Sequence, residues 1–146
     1  MVRGVMTDKD AVLFEGVLGF EVQPEIHSPV VVASGLTAAY IENPSKFDFE
    51  SKLKLAAESL EKEHEVIIYE GTGHAGVARL LDAEVILIIG GGIGRAYDRL
   101  NLNLSLFREQ GVRVKGVILN KVHVDKLDHV KYHMGKILRE KVRPHQ

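Results

Sequence analysis

The segment VILIIGGGIGR at residues 85–95 decides the fold, because an unbroken apolar run leads directly into a glycine-rich loop. Apolar, mostly β-branched residues without alternation are typical of a strand in a parallel sheet that is covered on both faces. The glycines permit sharp backbone turns, and helical periodicity follows them. The segment therefore predicts a strand, a loop and a helix in succession.

Three further apolar runs satisfy the strand criterion to different degrees. Residues 66–69 and 114–119 are β-branched and apolar on both faces, and they predict strands. Residues 30–33, which follow Pro29 and stop before Gly35, give a weaker strand signal. We expect the strands at 66–69, 85–89 and 114–119 to lie parallel in one sheet.

Amphipathic stretches separate these runs. Apolar side chains recur at helical spacing in residues 49–60 behind an Asp48 N-cap, in residues 97–107 before Gly111, and in residues 125–142. Strands that alternate with helices predict an α/β fold, a three-layer sandwich with a mainly parallel sheet. We expect one domain over the whole chain.

The first forty residues give weaker signals. Residues 8–18 favour a helix capped by Asp8 over a strand, with Val12, Leu13 and Val17 facing inward. The prolines and glycines of residues 19–43 predict a loop-rich region around the weak strand.

Composition excludes several classes of protein. The chain has 146 residues, 45% of them hydrophobic, and a net charge of −1, which does not favour nucleic acid or anionic lipid as a partner. It has no cysteine, which excludes disulfide scaffolds, cysteine-ligated zinc and thiol catalysis. Without a signal peptide or an apolar run long enough to span a membrane, the expected location is the cytoplasm.

Candidate ligand-binding residues follow the predicted strands. In an α/β sheet the ligand crevice lies outside the carboxyl ends of the strands, so these loops are expected to converge. The candidates for binding a small anion or a nucleotide are Gly71, Thr72, Gly73, Gly76, Gly91, Gly92, Gly94, Arg95, Asn120 and Lys121.

Individual side chains in these loops have distinct predicted roles. Glu70 is a candidate catalytic carboxylate and Mg²⁺ ligand, and His74 is a candidate general base or anion donor. Arg95 would neutralise an anion bound by the glycine loop, and Asn120 would pair with a purine edge. Glu70 and Arg95 are equally compatible with solvated surface positions, and a histidine such as His74 is more commonly a solvated loop residue. The Asn120–Lys121 dipeptide alone has almost no specificity.

Two other patterns have competing interpretations. Gly71, Gly73 and Gly76 satisfy G-x-G-x-x-G, but no acidic residue follows about twenty positions on, so a nicotinamide or flavin oxidoreductase is disfavoured. Simple turn glycines explain the same pattern. The stripe Asp125, His129 and His133 has metal-ligand spacing, although a polar helix face produces it as well.

Taken together, residues 70–77, 90–95 and 116–122 resemble P-loop NTPase-like domains related to dethiobiotin synthetase and cobyrinic acid a,c-diamide synthase. The resemblance includes the similar domain fused to some phosphotransacetylases. It implies ATP and Mg²⁺ as cofactors in the activation of a carboxylate. It also implies Glu70 near the metal, Gly71 to His74 near phosphate or substrate, and Asn120 near the base.

The sequence departs from that group in two respects. G-x-x-x-x-G-K-[ST] occurs nowhere in it. Relatives also carry roughly ten more residues between the glycine loop at 71–76 and the next strand, where only Val77 to Glu84 remain here. We therefore expect a nucleotide- or anion-binding domain truncated at the N-terminus, without ATPase activity of its own. Alternatives are a fragment of an active ATP-dependent ligase and a non-enzymatic regulatory module. Loss of a sheet strand further predicts a homo-oligomer, or an N-terminal segment that is missing here.

Overall fold

The computed structural model describes residue 2 and residues 4–71 and 74–142. It divides into two compact units, Met1–Glu70 and Gly71–Gln146, which are described separately below. The expectation of a single domain remains a prediction.

The first unit is helical. Its helices are α1 (Lys9–Leu18), α2 (Pro24–His27), α3 (Leu36–Glu42) and α4 (Phe49–Glu61), and a 3₁₀ turn covers Pro44–Lys46. The Asp8 carboxylate accepts a hydrogen bond from the Asp10 N–H (2.8 Å), and that of Asp48 accepts one from the Ser51 N–H (3.1 Å). Both predicted N-caps, and the helices that they begin, are confirmed.

Other expectations for this unit are wrong. Residues 30–33 form no strand, since the Ala33 N–H donates to the Val31 carbonyl in a turn. Residues 66–69 form no strand either: in the described part of the chain they make no backbone hydrogen bond, and Ile68 is 90% exposed. A β-branched run becomes a strand only when a neighbouring backbone completes the ladder.

The inward face predicted for α1 also differs from the structure. Val12, Leu13 and Val17 are exposed, and Ala11 is the buried residue of this helix. The apolar spacing correctly predicted a helix. It did not predict which face of the helix is buried, because that depends on which neighbouring element packs against it.

The second unit contains the sheet. Its elements are α5 (Ala75–Leu80), β1 (Val85–Gly90), α6 (Gly94–Glu109), β2 (Val114–Asn120) and α7 (Leu127–Lys141), with a 3₁₀ turn at Val124–Lys126. The two strands pair in parallel, with Ile86 opposite Gly116 and Gly90 opposite Asn120. The α/β class with a parallel sheet is thereby confirmed.

One face of this sheet is packed. Leu87 and Ile89 of β1 share a core with apolar residues of the three helices, which are Ala75 of α5, Ala96, Leu100, Leu104 and Phe107 of α6, and Val130 and Met134 of α7. The opposite face carries Ile86, Ile88 and Ile118, which are 61%, 68% and 51% exposed. The expectation that these strands are covered on both faces is therefore wrong for this unit. A strand with apolar residues on both faces is therefore not necessarily covered by helices on both faces.

An ion-pair cluster lies at the amino ends of the strands. The carboxylate of Glu84 accepts from Lys115 Nζ at 2.7 Å and from Arg113 Nη2 at 3.0 Å. The hydrogen bond from Lys115 is the largest cause that lowers the pKa of Glu84 below its ordinary value, and the bond from Arg113 acts in the same direction.

This cluster predicts a small acid-dependent contribution to stability. A carboxyl group whose pKa is lowered by folding stabilises the protein above its unfolded pKa, and this contribution is lost as pH falls through its folded pKa. Glu84→Gln should therefore flatten the acid limb of a plot of unfolding free energy against pH. The effect should be small because both partners are solvent-accessible. Glu109→Gln, which removes a carboxylate without an ion pair in the described residues, is the control, and equal slopes in the two variants would contradict the prediction.

Candidate functional site

The carboxyl ends of β1 and β2 bring two of the predicted loops together. Gly90 lies opposite Asn120 in the parallel register. One residue further on, the Gly91 N–H donates to the carbonyl oxygen of Asn120 with an N···O distance of 2.6 Å. The glycine loop at residues 90–95 and the Asn120–Lys121 dipeptide therefore meet at one edge of the sheet.

Close backbone contact explains why glycines occupy this loop. A Cβ built on Gly91 would lie 2.9 Å from the carbonyl oxygen of Lys121 and 2.9 Å from Cα of Val122. Gly92 has a φ of 104°, and Lys121 adopts a φ of 58°, so both sides of the contact contain left-handed backbone. Glycine at 91 and 92 is thus required by the local geometry.

The side chain of Asn120 folds onto its own loop. Its Oδ1 accepts a hydrogen bond from the Lys121 N–H at 2.8 Å. An amide oxygen can accept two hydrogen bonds and the amide nitrogen can donate two, so the group retains capacity to bind a ligand. The structure places it at the sheet edge, as the sequence predicted.

The other predicted loop is only partly described, because Thr72 and Gly73 lie outside the described residues. His74 precedes α5 and is exposed, and its Cδ2 lies 3.7 Å from a Cβ built on Gly71. Gly76 lies within α5, whose buried residue Ala75 packs in the core of the second unit.

Glu70 is exposed and ends the first unit. The expectation that it follows a sheet strand is wrong, because residues 66–69 form none. Its proposed metal and catalytic roles therefore stay predictions.

Two arginines follow the glycine loop on α6. Arg95 and Arg99 are four residues apart and lie on the same face of the helix. A Cβ built on Gly90 would lie 3.8 Å from Nη1 of Arg99, and Asn103 Nδ2 donates to the Arg99 carbonyl at 2.8 Å. Sequence reasoning did not single out Arg99, although its spacing from Arg95 was a usable signal.

The described residues contain no cluster of side chains that could hold a metal ion by itself. Among them, no three His, Asp or Glu side chains are grouped so as to hold one. The rings of His129 and His133 lie 4.5 Å apart, but Asp125, which belongs to the preceding 3₁₀ turn, does not complete a set. The metal interpretation of this stripe is therefore not supported.

No helix in the described part of the chain is long and apolar enough to cross a membrane.

Comparison with known proteins adds two findings. The family profile described as "AAA domain" matches residues 2–143. A cobyric acid synthase from Listeria welshimeri serovar 6b is 32% identical over 92 residues, which is 51% of this chain and 17% of that protein. The chain thus spans about a sixth of the length of this relative. No match to a solved structure was found.

Proposed function

Because this chain belongs to the AAA domain family, of the P-loop NTPase type that includes dethiobiotin-synthetase-like proteins, we propose that it is a nucleotide- or anion-binding domain. Its ligand would lie at the carboxyl edge of β1 and β2. The observation that carries this proposal is the hydrogen bond from Gly91 to Asn120, which holds the glycine loop against the Asn120–Lys121 dipeptide.

The residues at this edge supply complementary chemistry. Gly91, Gly92 and Gly94 leave the backbone accessible to an anion, and Arg95 provides positive charge. Asn120 has donor and acceptor groups for a base, with Lys121 beside it. As the family resemblance implies, Gly71, Thr72, Gly73, His74 and Gly76 are proposed as further contacts to phosphate or substrate.

We expect no hydrolysis of ATP by this chain alone. The sequence contains no G-x-x-x-x-G-K-[ST], and phosphoryl transfer depends mainly on groups that position and neutralise the transferred phosphate. ATP and Mg²⁺ remain the cofactors that the family implies. Glu70 is the proposed Mg²⁺ ligand and, with His74, a proposed remnant of the catalytic machinery.

Nucleotide binding and turnover test this proposal together. The chain should show no ATPase activity above background, while ATP should raise its melting temperature. A ligand present at 100 times its dissociation constant adds about 2.7 kcal/mol to the free energy of unfolding. Comparing melts with and without Mg²⁺ tests the metal role of Glu70, because Mg²⁺ should strengthen binding by screening that carboxylate.

Matched asparagine variants locate the binding. Asn120→Ala should weaken ATP binding by about tenfold, or about 1.4 kcal/mol, because it removes the proposed contacts to the base. Asn101→Ala, on α6 and away from the strand ends, should leave affinity unchanged. Absence of protection by ATP would refute the nucleotide proposal, and turnover lost in Glu70→Gln would refute the claim of no ATPase activity.

A second candidate function is supported by the match to cobyric acid synthase: the chain as part of an ATP-dependent ligase that activates a carboxylate. Coding DNA upstream of Met1 discriminates between the two, since an in-frame phosphate loop there would favour the enzyme. A non-enzymatic regulatory module would bind the same ligand without any turnover.

Self-association in the cytoplasm completes the proposal. Within the described residues, the sheet has two strands, each with one side of its backbone unpaired, and one apolar face of exposed isoleucines. Pairing with a second copy would satisfy open backbone groups. The cysteine-free sequence supports a reducing compartment. Sedimentation of the chain distinguishes an oligomer from a 16.2 kDa monomer.

A further inference from the structure

Two neighbouring backbone amides in the first unit are held by ionisable side chains. The Val22 N–H donates to Oε1 of Glu15 at 2.9 Å, and the Gln23 N–H donates to Nδ1 of His27, also at 2.9 Å. Glu15 lies on α1 and His27 on α2, so the two hydrogen bonds join both helices to the segment between them. We call this pair of hydrogen bonds the clasp.

The clasp closes around a buried side chain. Val22 is the largest fully buried side chain described in the first unit. Gln23 is the N-cap residue of α2, and its own side chain makes no capping hydrogen bond. His27 instead reaches back to the N-cap amide, as the third helical residue does in a capping box. Loss of this acceptor leaves a backbone N–H without a protein partner beside the buried Val22.

Apolar packing contributes little to holding α1 in place. Its large apolar residues Leu13, Val17 and Leu18 are 59%, 71% and 68% exposed, and Ala11 is its buried residue. Glu15 follows Ala11 by four residues and therefore lies on the same, inward face of the helix. The position of the turn between α1 and α2 consequently depends on the hydrogen bonds of the clasp.

Protonation breaks one half of the clasp. Nδ1 of His27 accepts a hydrogen bond only while it carries no proton, whereas an imidazolium ring is a donor at both nitrogens. A carboxyl oxygen accepts in either protonation state, so the bond to Glu15 does not have this limitation. Histidine is the side chain that changes charge between about pH 8 and about pH 5.

The charged groups around His27 do not oppose a positive charge on its ring. Glu21 and Glu25 lie on the same segment and are acidic. Helix α4 packs against α2, its buried residues are alanines, and its charged residues are all exposed, namely Glu50, Lys52, Lys54, Glu58 and Glu61. Within the described ranges His27 forms no ion pair, and its ring contacts that of Phe20, with centroids 5.1 Å apart.

We propose that His27 makes the clasp a proton-sensitive switch that controls the turn between α1 and α2. The neutral ring accepts from Gln23 and closes the turn over Val22, and the protonated ring releases it. The stabilising contribution of this bond is therefore present at higher pH and lost as the pH falls. The switch lies in the first unit and does not depend on the proposed nucleotide site.

Hydrogen exchange of the full chain, detected by NMR, tests this inference. The protection factor, which corrects for the intrinsic pH dependence of exchange, should fall about tenfold at the Gln23 amide between about pH 8 and about pH 5. His27→Asn places an acceptor oxygen at the position of Nδ1 without a titrating group, so protection should become independent of pH. His27→Phe keeps an aromatic ring without an acceptor, and its protection should be low at both pH values. The control His64→Asn removes an exposed histidine and should retain the wild-type fall.

Three results would overturn the switch. Protection of Gln23 that is unchanged between the two pH values in the wild type would show that the bond is not proton-sensitive. An equal fall in His27→Asn would assign the pH dependence to another group. A wild-type ring that carries its proton on Nδ1 at about pH 8, measured from the imidazole nitrogen shifts, would exclude the acceptor role without any variant. Circular dichroism verifies that each variant is folded.

Discussion

Replacing Leu100 by alanine should lower the free energy of unfolding of this protein by about 2–5 kcal/mol. Leu100 is fully buried in α6 and belongs to the core that α6 and α7 form with β1. The truncation removes apolar contacts and leaves a cavity that the surrounding helices fill only in part. Because many single domains are stable by only about 5–15 kcal/mol, this loss is a large fraction of the total.

Leu102→Ala is the matched control for this prediction. It makes the same chemical change two residues away in the same helix, where the side chain is 72% exposed. Its effect on stability should be within about 0.5 kcal/mol. Urea unfolding of the two variants measures the difference, and similar midpoints would show that α6 does not bury the Leu100 face.

Replacing Gly91 by alanine should destabilise the protein by about 1–3 kcal/mol and also weaken ligand binding at the carboxyl edge. The added methyl group would lie 2.9 Å from two backbone atoms, the Lys121 oxygen and Val122 Cα, which cannot move away as a flexible side chain would. The substitution must therefore separate the glycine loop from the Asn120 side of the site.

Gly94→Ala provides the comparison within the same loop. Gly94 begins α6, and a Cβ there meets no atom within 4 Å. Alanine also favours the helix, so this variant should be as stable as wild type or more stable. Thermal melts without ATP measure the effect of each substitution on stability, and melts with ATP measure its effect on ligand binding. Equal behaviour of the two variants would show that the contact between Gly91 and Lys121 is unimportant.

Sequence patterns predicted the second unit better than the first. Residues 85–89 and 114–119 carry a strong strand signal, and each forms a ladder with the other. Residues 66–69 have the same chemical character, yet they make no backbone hydrogen bond to another strand in the described residues. Local patterns specify what a segment is able to form, whereas pairing depends on a partner distant in the sequence.

The candidate site was predictable where it depends on strand ends. Gly90 and Asn120 could be placed at one edge because parallel strands end together. The proximity of Arg99 to Gly90 was missed because it depends on how far a side chain reaches back along α6, which spacing alone does not specify. The tight contact at Gly91 could not be predicted from the sequence either, since it involves backbone atoms about thirty residues away in the chain.

The parallel pairing of β1 with β2 also constrains the order of folding. All of α6 lies between the two strands, so no short hairpin can nucleate this sheet. The ladder forms only after a long intervening segment has been closed, which has an entropic cost that local contacts do not offset. Hydrogen exchange at the β1 amides should consequently report cooperative opening of the whole second unit rather than local fraying.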